Sequence, residues 1–283
     1  MSGRRQWLLV VLGAVALAAS YPPFPLPVLS FVAVVPAVLL LADAGGDARR
    51  AYTWGFRYGL AANGLVLHWM VVALWHFTAL AALGYLITVF LLGVFTGVLF
   101  WFVARVRAAY PALSLGLVFP IGWTALEWVV GHLGDVAFPW LGLGTSLADA
   151  PVLVQWADLA GARGVTCWLV WCNVQASGVV DGEGWRDWRR VVLRLAPVVL
   201  TVGLATGYGI WRARALPLRD VGTITLVQPN IGFKEKWDPQ LADSEVALLL
   251  SLSHDSRARP ALVIWPEAAL PYYLSERPDW QRR

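Results

Sequence analysis

The sequence predicts an α-helical polytopic membrane domain over residues 1–211, followed by the start of an α/β domain over residues 212–283. Three observations carry that prediction. Of the 283 residues 58% are hydrophobic and only 14% are charged, whereas soluble domains carry about 25% charged residues. The apolar residues gather into seven runs, most of them near the ~20 residues a helix needs to cross a bilayer core. After Trp211 the charges rise, and short β-branched segments alternate with polar turns.

The runs cover approximately residues 7–20, 24–42, 55–77, 80–103, 113–130, 165–180 and 191–211. The first is short. Arg4 and Arg5 precede it and Ala16-Leu17-Ala18 lies near its end, a layout shared by a cleaved signal peptide and a retained first helix. Tyr21-Pro22-Pro23-Phe24-Pro25-Leu26-Pro27 then makes a tight turn, because proline has no N–H to give a helix. Arginines set the orientation, since cytoplasmic connections hold the excess of basic residues. Arg4 and Arg5, Arg49 and Arg50, Arg105 and Arg107, and Arg186 to Arg194 fall at the N-terminus and after the second, fourth and sixth runs. The connections after the first and third runs carry no Lys or Arg, and that after the fifth carries only Arg163 against Asp135, Asp149 and Asp158. The N-terminus is therefore expected in the cytoplasm, and everything after residue 211 outside it.

The outer connection over 131–164 is long and apolar. It holds Phe138-Pro139-Trp140-Leu141-Gly142-Leu143-Gly144, then Val152, Leu153, Val154 and Trp156. Such a loop belongs in the membrane interface or over a cavity, with tryptophan at headgroup depth. It reads either as an interfacial anchor or as a lipid entrance, and Phe138, Pro139 and Trp140 are the candidate substrate-binding residues. Inside the runs Arg57, Asn63, His68, His76 and Glu127 are costly in hydrocarbon and are functional candidates by default. Arg57 is placed to snorkel and His76 to sit at the interface, while Glu127 and His68 read as hydrogen-bonding between helices. Cys167 and Cys172 share one apolar run without metal-ligand partners and read as small buried apolar side chains. No spacing suggests a metal site, a phosphate loop or a cofactor. The net charge of +4 arises from 22 Lys+Arg against 18 Asp+Glu. The arginines sit between apolar runs, which argues for topology rather than a nucleic-acid partner.

In the outer part, Thr223-Ile224-Thr225-Leu226-Val227 reads as a strand and Asp238-Pro239 as a helix start. Leu241, Leu248, Leu249 and Leu252 mark one face of the helix, and residues 254–260 form a polar turn. Leu262-Val263-Ile264-Trp265 then reads as a short buried strand stopped by Pro266, which aims Glu267 out of the strand end. Alone, Glu267 reads more readily as a surface carboxylate in a strand-to-loop turn.

Trp265-Pro266-Glu267 after such a strand resembles the nitrilase (carbon–nitrogen hydrolase) superfamily. Behind a long membrane portion it is similar to the apolipoprotein N-acyltransferases. Tyr21-Pro22-Pro23-Phe24, Trp54-Gly55-Phe56 with Gly59-Leu60, Glu127-Trp128, Phe138-Pro139-Trp140-Leu141, Gln228-Pro229-Asn230-Ile231 and Lys236-Trp237-Asp238 resemble that family in the same order. Two positions depart from it: Val130 stands where the family often has Arg, and Thr145 where it usually has Tyr. The resemblance implies a retained first helix, an αββα nitrilase-like sandwich begun after residue 211, and a bacterial inner-membrane location with that sandwich periplasmic. It implies acyl transfer through a Glu-Lys-Cys triad with Glu267 as general base, a phospholipid as donor and a diacylated apolipoprotein as acceptor. The Lys and Cys of that triad find no match here, so the chain alone is expected to be inactive and to be the front portion of an enzyme. The rival readings are a degenerate relative with a scaffolding role and a seven-helix transporter. The second lacks an evident inverted repeat.

Overall fold

The computed structural model describes the chain apart from Pro25, His76, Phe77, Gly182, Glu183, Val221, residues 255–259, Arg282, Arg283 and the side chains of Phe233 and Lys234. His76 and most of the 254–260 turn thus lie outside the described residues. Residues 1–216 and 217–283 form two separate compact units.

Every apolar run is helical, but not every run is a single helix. In the first unit these are α1 (Gly3–Ala19), α2 (Val35–Asp43), α3 (Ala48–Val66), α4 (His68–Leu74), α5 (Leu80–Ala109), α6 (Leu115–Val130), α7 (Pro151–Val154), α8 (Ala157–Val180) and α9 (Trp188–Ala215). The second run breaks because Pro27 and Pro36 each start a new segment, a 3₁₀ turn over Pro27–Phe31 and then α2. The third breaks at Leu67, between α3 and α4. Two helices, α5 and α9, are each long and apolar enough to cross a membrane. Only 6% of the apolar window of α9 is buried, so its leucines and valines form an outward apolar face of the kind that meets lipid or a partner. Asp47 and Asp187 cap α3 and α9, each accepting from the backbone N–H groups two and three residues on.

The core is centred on α1, α2, α3, α5, α6 and α8. The helix α1 belongs to it through Val10, Ala14 and Leu17. The α3–α5 pair is the most extensive helix contact, and glycines let the two helices approach. Gly59 on α3 meets Gly93 on α5, while Gly55 makes room for Phe100 of α5 and Gly97 for Tyr52 and Phe56 of α3, small residues spaced by four on both helices. A Cβ on Gly59 would stand 2.7 Å from the Thr96 side chain and 3.0 Å from the Gly93 backbone. The 3₁₀ segment before α2 is held from across the bundle. Buried Asn173 accepts from Val34 N–H and donates to the Ser30 carbonyl, both at 2.8 Å. Cys172 is buried and Cys167 half-buried on the same helix.

Several expectations for single residues change. Arg57 does not simply snorkel: its guanidinium lies 4.7 Å from the Trp54 ring and 5.3 Å from the Trp7 ring, on a cation–π seat. His68 reaches no distant helix. Its Nδ1 is 2.7 Å from the Leu65 carbonyl, closing the break after α3 locally. The 131–164 connection is mostly short 3₁₀ turns and helix rather than open loop. Gly161, at φ 69° and ψ 174°, divides the first turn of α8 from its straight remainder, a conformation that favours glycine.

The second unit is β1 (Ile224–Leu226), α10 (Phe233–Lys236), α11 (Ala242–His254), β2 (Leu262–Ile264) and α12 (Pro278–Gln281). The two strands pair in parallel with Ile224 opposite Leu262 and Leu226 opposite Ile264, which the helical crossover between them makes possible. Two details correct the sequence reading. Strand β2 is exposed, with Leu262 at 52%, because a two-stranded sheet leaves it one neighbour. The buried face of α11 is Ala242, Glu245, Val246 and Leu249, so of the leucine stripe only Leu249 is buried, because Trp280 of α12 packs on Ala242 and Val246. The helix also begins later than Asp238, whose carboxylate instead accepts from Gln240 N–H in a turn.

Candidate functional site

A carboxylate in an apolar helix must find donors, and Glu127 of α6 finds four. One oxygen accepts from Trp123 Nε1 at 2.9 Å, a turn back on α6, and from Leu143 N–H at 2.8 Å. The other accepts from Thr166 Oγ1 at 2.9 Å and Arg163 at 3.1 Å, both on α8. Thr166 Oγ1 in turn accepts from Gly144 N–H at 3.0 Å. Glu127 therefore joins α6 to α8 and, with Thr166, fastens the 138–144 segment to both. The interhelical role read from the sequence is what its partners describe. The cation beside it comes from Arg163; Val130 contributes an apolar wall instead.

Under that segment lies a small cavity of about 70 Å³. Its walls are of two kinds. Leu92, Phe95, Leu126, Val130, Phe138 and Leu141 form the apolar side, and Asn63, Thr96, Glu127 and Arg163 the polar side. A smaller void of about 50 Å³ beside it shares Asn63, Thr96, Trp123 and Leu141, and adds Tyr21 and Tyr58. Tyr21 donates to the Leu141 carbonyl at 3.2 Å. The Tyr58 hydroxyl is buried with no partner among the described residues.

Of the predicted binding residues, Phe138 and Pro139 line the cavity, whereas Trp140 is 63% exposed and meets Phe138 edge-on at 4.9 Å. Glu267 is exposed in the turn that follows β2, and Lys236 Nζ donates to its backbone carbonyl at 3.4 Å. Both cysteines lie in α8 of the other unit. Among the described residues no group of His, Cys, Asp and Glu has the makings of a metal site. Arg163 and Thr166 escaped the sequence reading. Arg163 counted there as a loop charge, and a threonine in an apolar helix sends no signal.

Two membrane-length helices, an outward apolar face and a half-apolar cavity give the first unit the character of the helical portion of a membrane-associated protein. Comparison with known proteins agrees. The family model for the apolipoprotein N-acyltransferase N-terminal domain matches residues 13–175. The apolipoprotein N-acyltransferase of Geobacter metallireducens is 31% identical over 99% of this chain and 54% of its own length. Those of Chlorobaculum tepidum and Vibrio parahaemolyticus are 29% and 26% identical, over 95% and 93% of this chain and 50% of their own length each. The chain belongs to the apolipoprotein N-acyltransferase family, and it spans about half the length of the curated relatives it matches.

Proposed function

We propose that this chain supplies the membrane domain and the general base of a phospholipid:apolipoprotein N-acyltransferase. The observation that carries the proposal is the parallel β1–α11–β2 unit with Glu267 just past the end of β2, in a chain related over almost its full length to enzymes of that name. In this reading residues 1–211 cross a bacterial inner membrane about seven times with the N-terminus cytoplasmic, and residues 212–283 open a periplasmic nitrilase-like domain. Glu267 takes the proton of a cysteine thiol. The thiolate attacks an ester carbonyl of a phospholipid, with a lysine holding the oxyanion; a thioester forms, and the lysophospholipid leaves as its alcohol with the proton that Glu267 returns. The α-amino group of a diacylated lipoprotein cysteine then gives its proton to Glu267 and takes the acyl chain. The exposure of Glu267 leaves its carboxylate reachable. Phe138 and Pro139 border the donor's path in the membrane domain.

The test is Glu267→Gln in the full-length enzyme, which keeps the side chain's shape and removes its basicity. Acyl-enzyme formation from phospholipid should fall below detection. Wild-type levels of acyl-enzyme would rule the role out. The 283-residue chain by itself should form no acyl-enzyme, because both of its cysteines lie in α8.

A further inference from the structure

We propose that Lys236 is a positioning residue for Glu267: its ammonium holds the peptide unit between Glu267 and Ala268 in a strained orientation, and that orientation sets how the carboxylate is presented. This rests on the acyltransferase reading for Glu267 being the base; the hold on the peptide does not.

Two independent observations meet on that one peptide unit. Its carbonyl, from Glu267, accepts from Lys236 Nζ at 3.4 Å. Its nitrogen belongs to Ala268, whose φ is 51°. Among the described residues only Asn230 and Ala268 combine a side chain with a positive φ. Asparagine is enriched in that region because its short polar side chain can hydrogen-bond locally, and alanine has no such group. Turning the peptide over would return Ala268 to negative φ and rotate ψ of Glu267 by about half a turn. Strain of this kind persists only where the surroundings enforce it. Among the described residues no hydrogen bond other than that from Lys236 reaches this peptide unit. At 3.4 Å the contact is long for N–H···O, and the charge on the donor is what strengthens it.

Both sides of the contact are anchored. Ahead of Glu267, Trp265 Nε1 donates to Ser253 Oγ on α11 at 2.9 Å, and the ring of Pro266 fixes its φ. The rotation left near Glu267 is therefore concentrated at the 267–268 peptide. On the other side Lys236 ends α10, and its N–H donates to the Gly232 carbonyl at 2.9 Å. The Glu235 carboxylate closes that turn by accepting from Gly232 N–H at 3.3 Å. The Trp237 ring lies 5.9 Å from Lys236 Nζ, within cation–π reach. The rotamers open to a side chain depend on its φ and ψ, so a turned peptide would offer the Glu267 carboxylate a different set of directions. Lys236 does this without touching substrate, which separates it from a lysine that holds an oxyanion.

The experiment uses the full-length enzyme, with the rate of acyl-enzyme formation at saturating phospholipid measured beside KM in variants of matched melting temperature. Lys236→Met keeps the stem and removes the charge. It should slow acyl-enzyme formation about tenfold, the scale of the strain that drives the turn, with KM unchanged. Lys236→Arg keeps a charged donor and should retain most of the rate. Ala268→Gly removes the strain, so adding it to Lys236→Met should restore most of the rate. A lysine that touched the reacting atoms would not be rescued in this way. A wild-type rate in Lys236→Met, a loss that Ala268→Gly leaves uncorrected, or a loss confined to KM overturns the proposal. A crystal structure of the Lys236→Met enzyme reads the hold without reference to activity. The 267–268 peptide should be turned over with Ala268 at negative φ, and an unchanged peptide refutes the hold. The two readings fail separately. Wild-type acyl-enzyme in Glu267→Gln would remove the base, while a turned peptide in Lys236→Met would still retain the hold. An inactive Glu267→Gln beside a fully active Lys236→Met would keep the base and refute the positioning role.

Discussion

Removing the Glu127 carboxylate should release the segment that covers the cavity. Glu127→Ala strands Leu143 N–H, Trp123 Nε1 and the Thr166 hydroxyl, and leaves Arg163 without its anion. Each of these three hydrogen bonds to the carboxylate contributes about 1.5 kcal/mol net. The ion pair contributes less than a buried one because the Arg163 side chain is 35% exposed, so water replaces part of what is lost, and about 0.5 kcal/mol is appropriate. The expected destabilisation is therefore about 5 kcal/mol, with most of it felt in the 138–144 segment and the α6–α8 contact. Glu127→Gln keeps one acceptor oxygen for Leu143 and Trp123, and turns an amide towards Arg163. It should cost about 1 kcal/mol. Amide hydrogen exchange on the purified chain reads the difference directly. Leu143 N–H should exchange at least about tenfold faster in Glu127→Ala than in wild type, and Glu127→Gln should fall between them. The reasoning is refuted if Leu143 exchanges no faster in Glu127→Ala, since its only acceptor among the described residues would then not be protecting it.

Three further outcomes can be checked. Asn173→Leu leaves Val34 N–H and the Ser30 carbonyl unpaired in the core, and should lower unfolding stability by about 3 kcal/mol in a denaturant titration. Burial raises the Glu245 carboxyl above its ordinary range, and both its oxygens lack a partner among the described residues. The folded state therefore holds the proton more tightly than the unfolded one, and stability falls as pH rises from the unfolded to the folded pKa. Glu245→Gln should accordingly unfold at higher denaturant than wild type at neutral pH, with the gap closing in acid. A gap that widens in acid would contradict the assignment. Trp140→Ala, at an exposed ring beside Phe138, should slow turnover of long-chain phospholipid by the full-length enzyme without reducing its amount in the membrane, as measured by acyl-transfer kinetics and immunoblotting.

The helical runs and the change of character after residue 211 were legible because each depends on nearby residues alone. An unbroken apolar stretch needs a helix to satisfy its own backbone, and a β-branched stretch bounded by turns suits a strand. The need for Glu127 to pair between helices was equally legible, since a carboxylate among apolar residues demands donors. Which donors was not legible. Its partners on the 138–144 segment and α8 lie 16, 36 and 39 residues further along the chain, and only the closure of α6 on α8 makes them neighbours. His68 shows the opposite error, satisfied three residues away where a distant partner had been expected. The face of α11 went the same way. Its leucine stripe is a local pattern, but burial follows from where Trp280 arrives to pack. The cavity itself has no counterpart in any one stretch of residues. Its polar side takes Asn63 from α3, Thr96 from α5, Glu127 from α6 and Arg163 from α8. The distance between those groups is set by glycine contacts and helix packing, which a linear pattern does not contain.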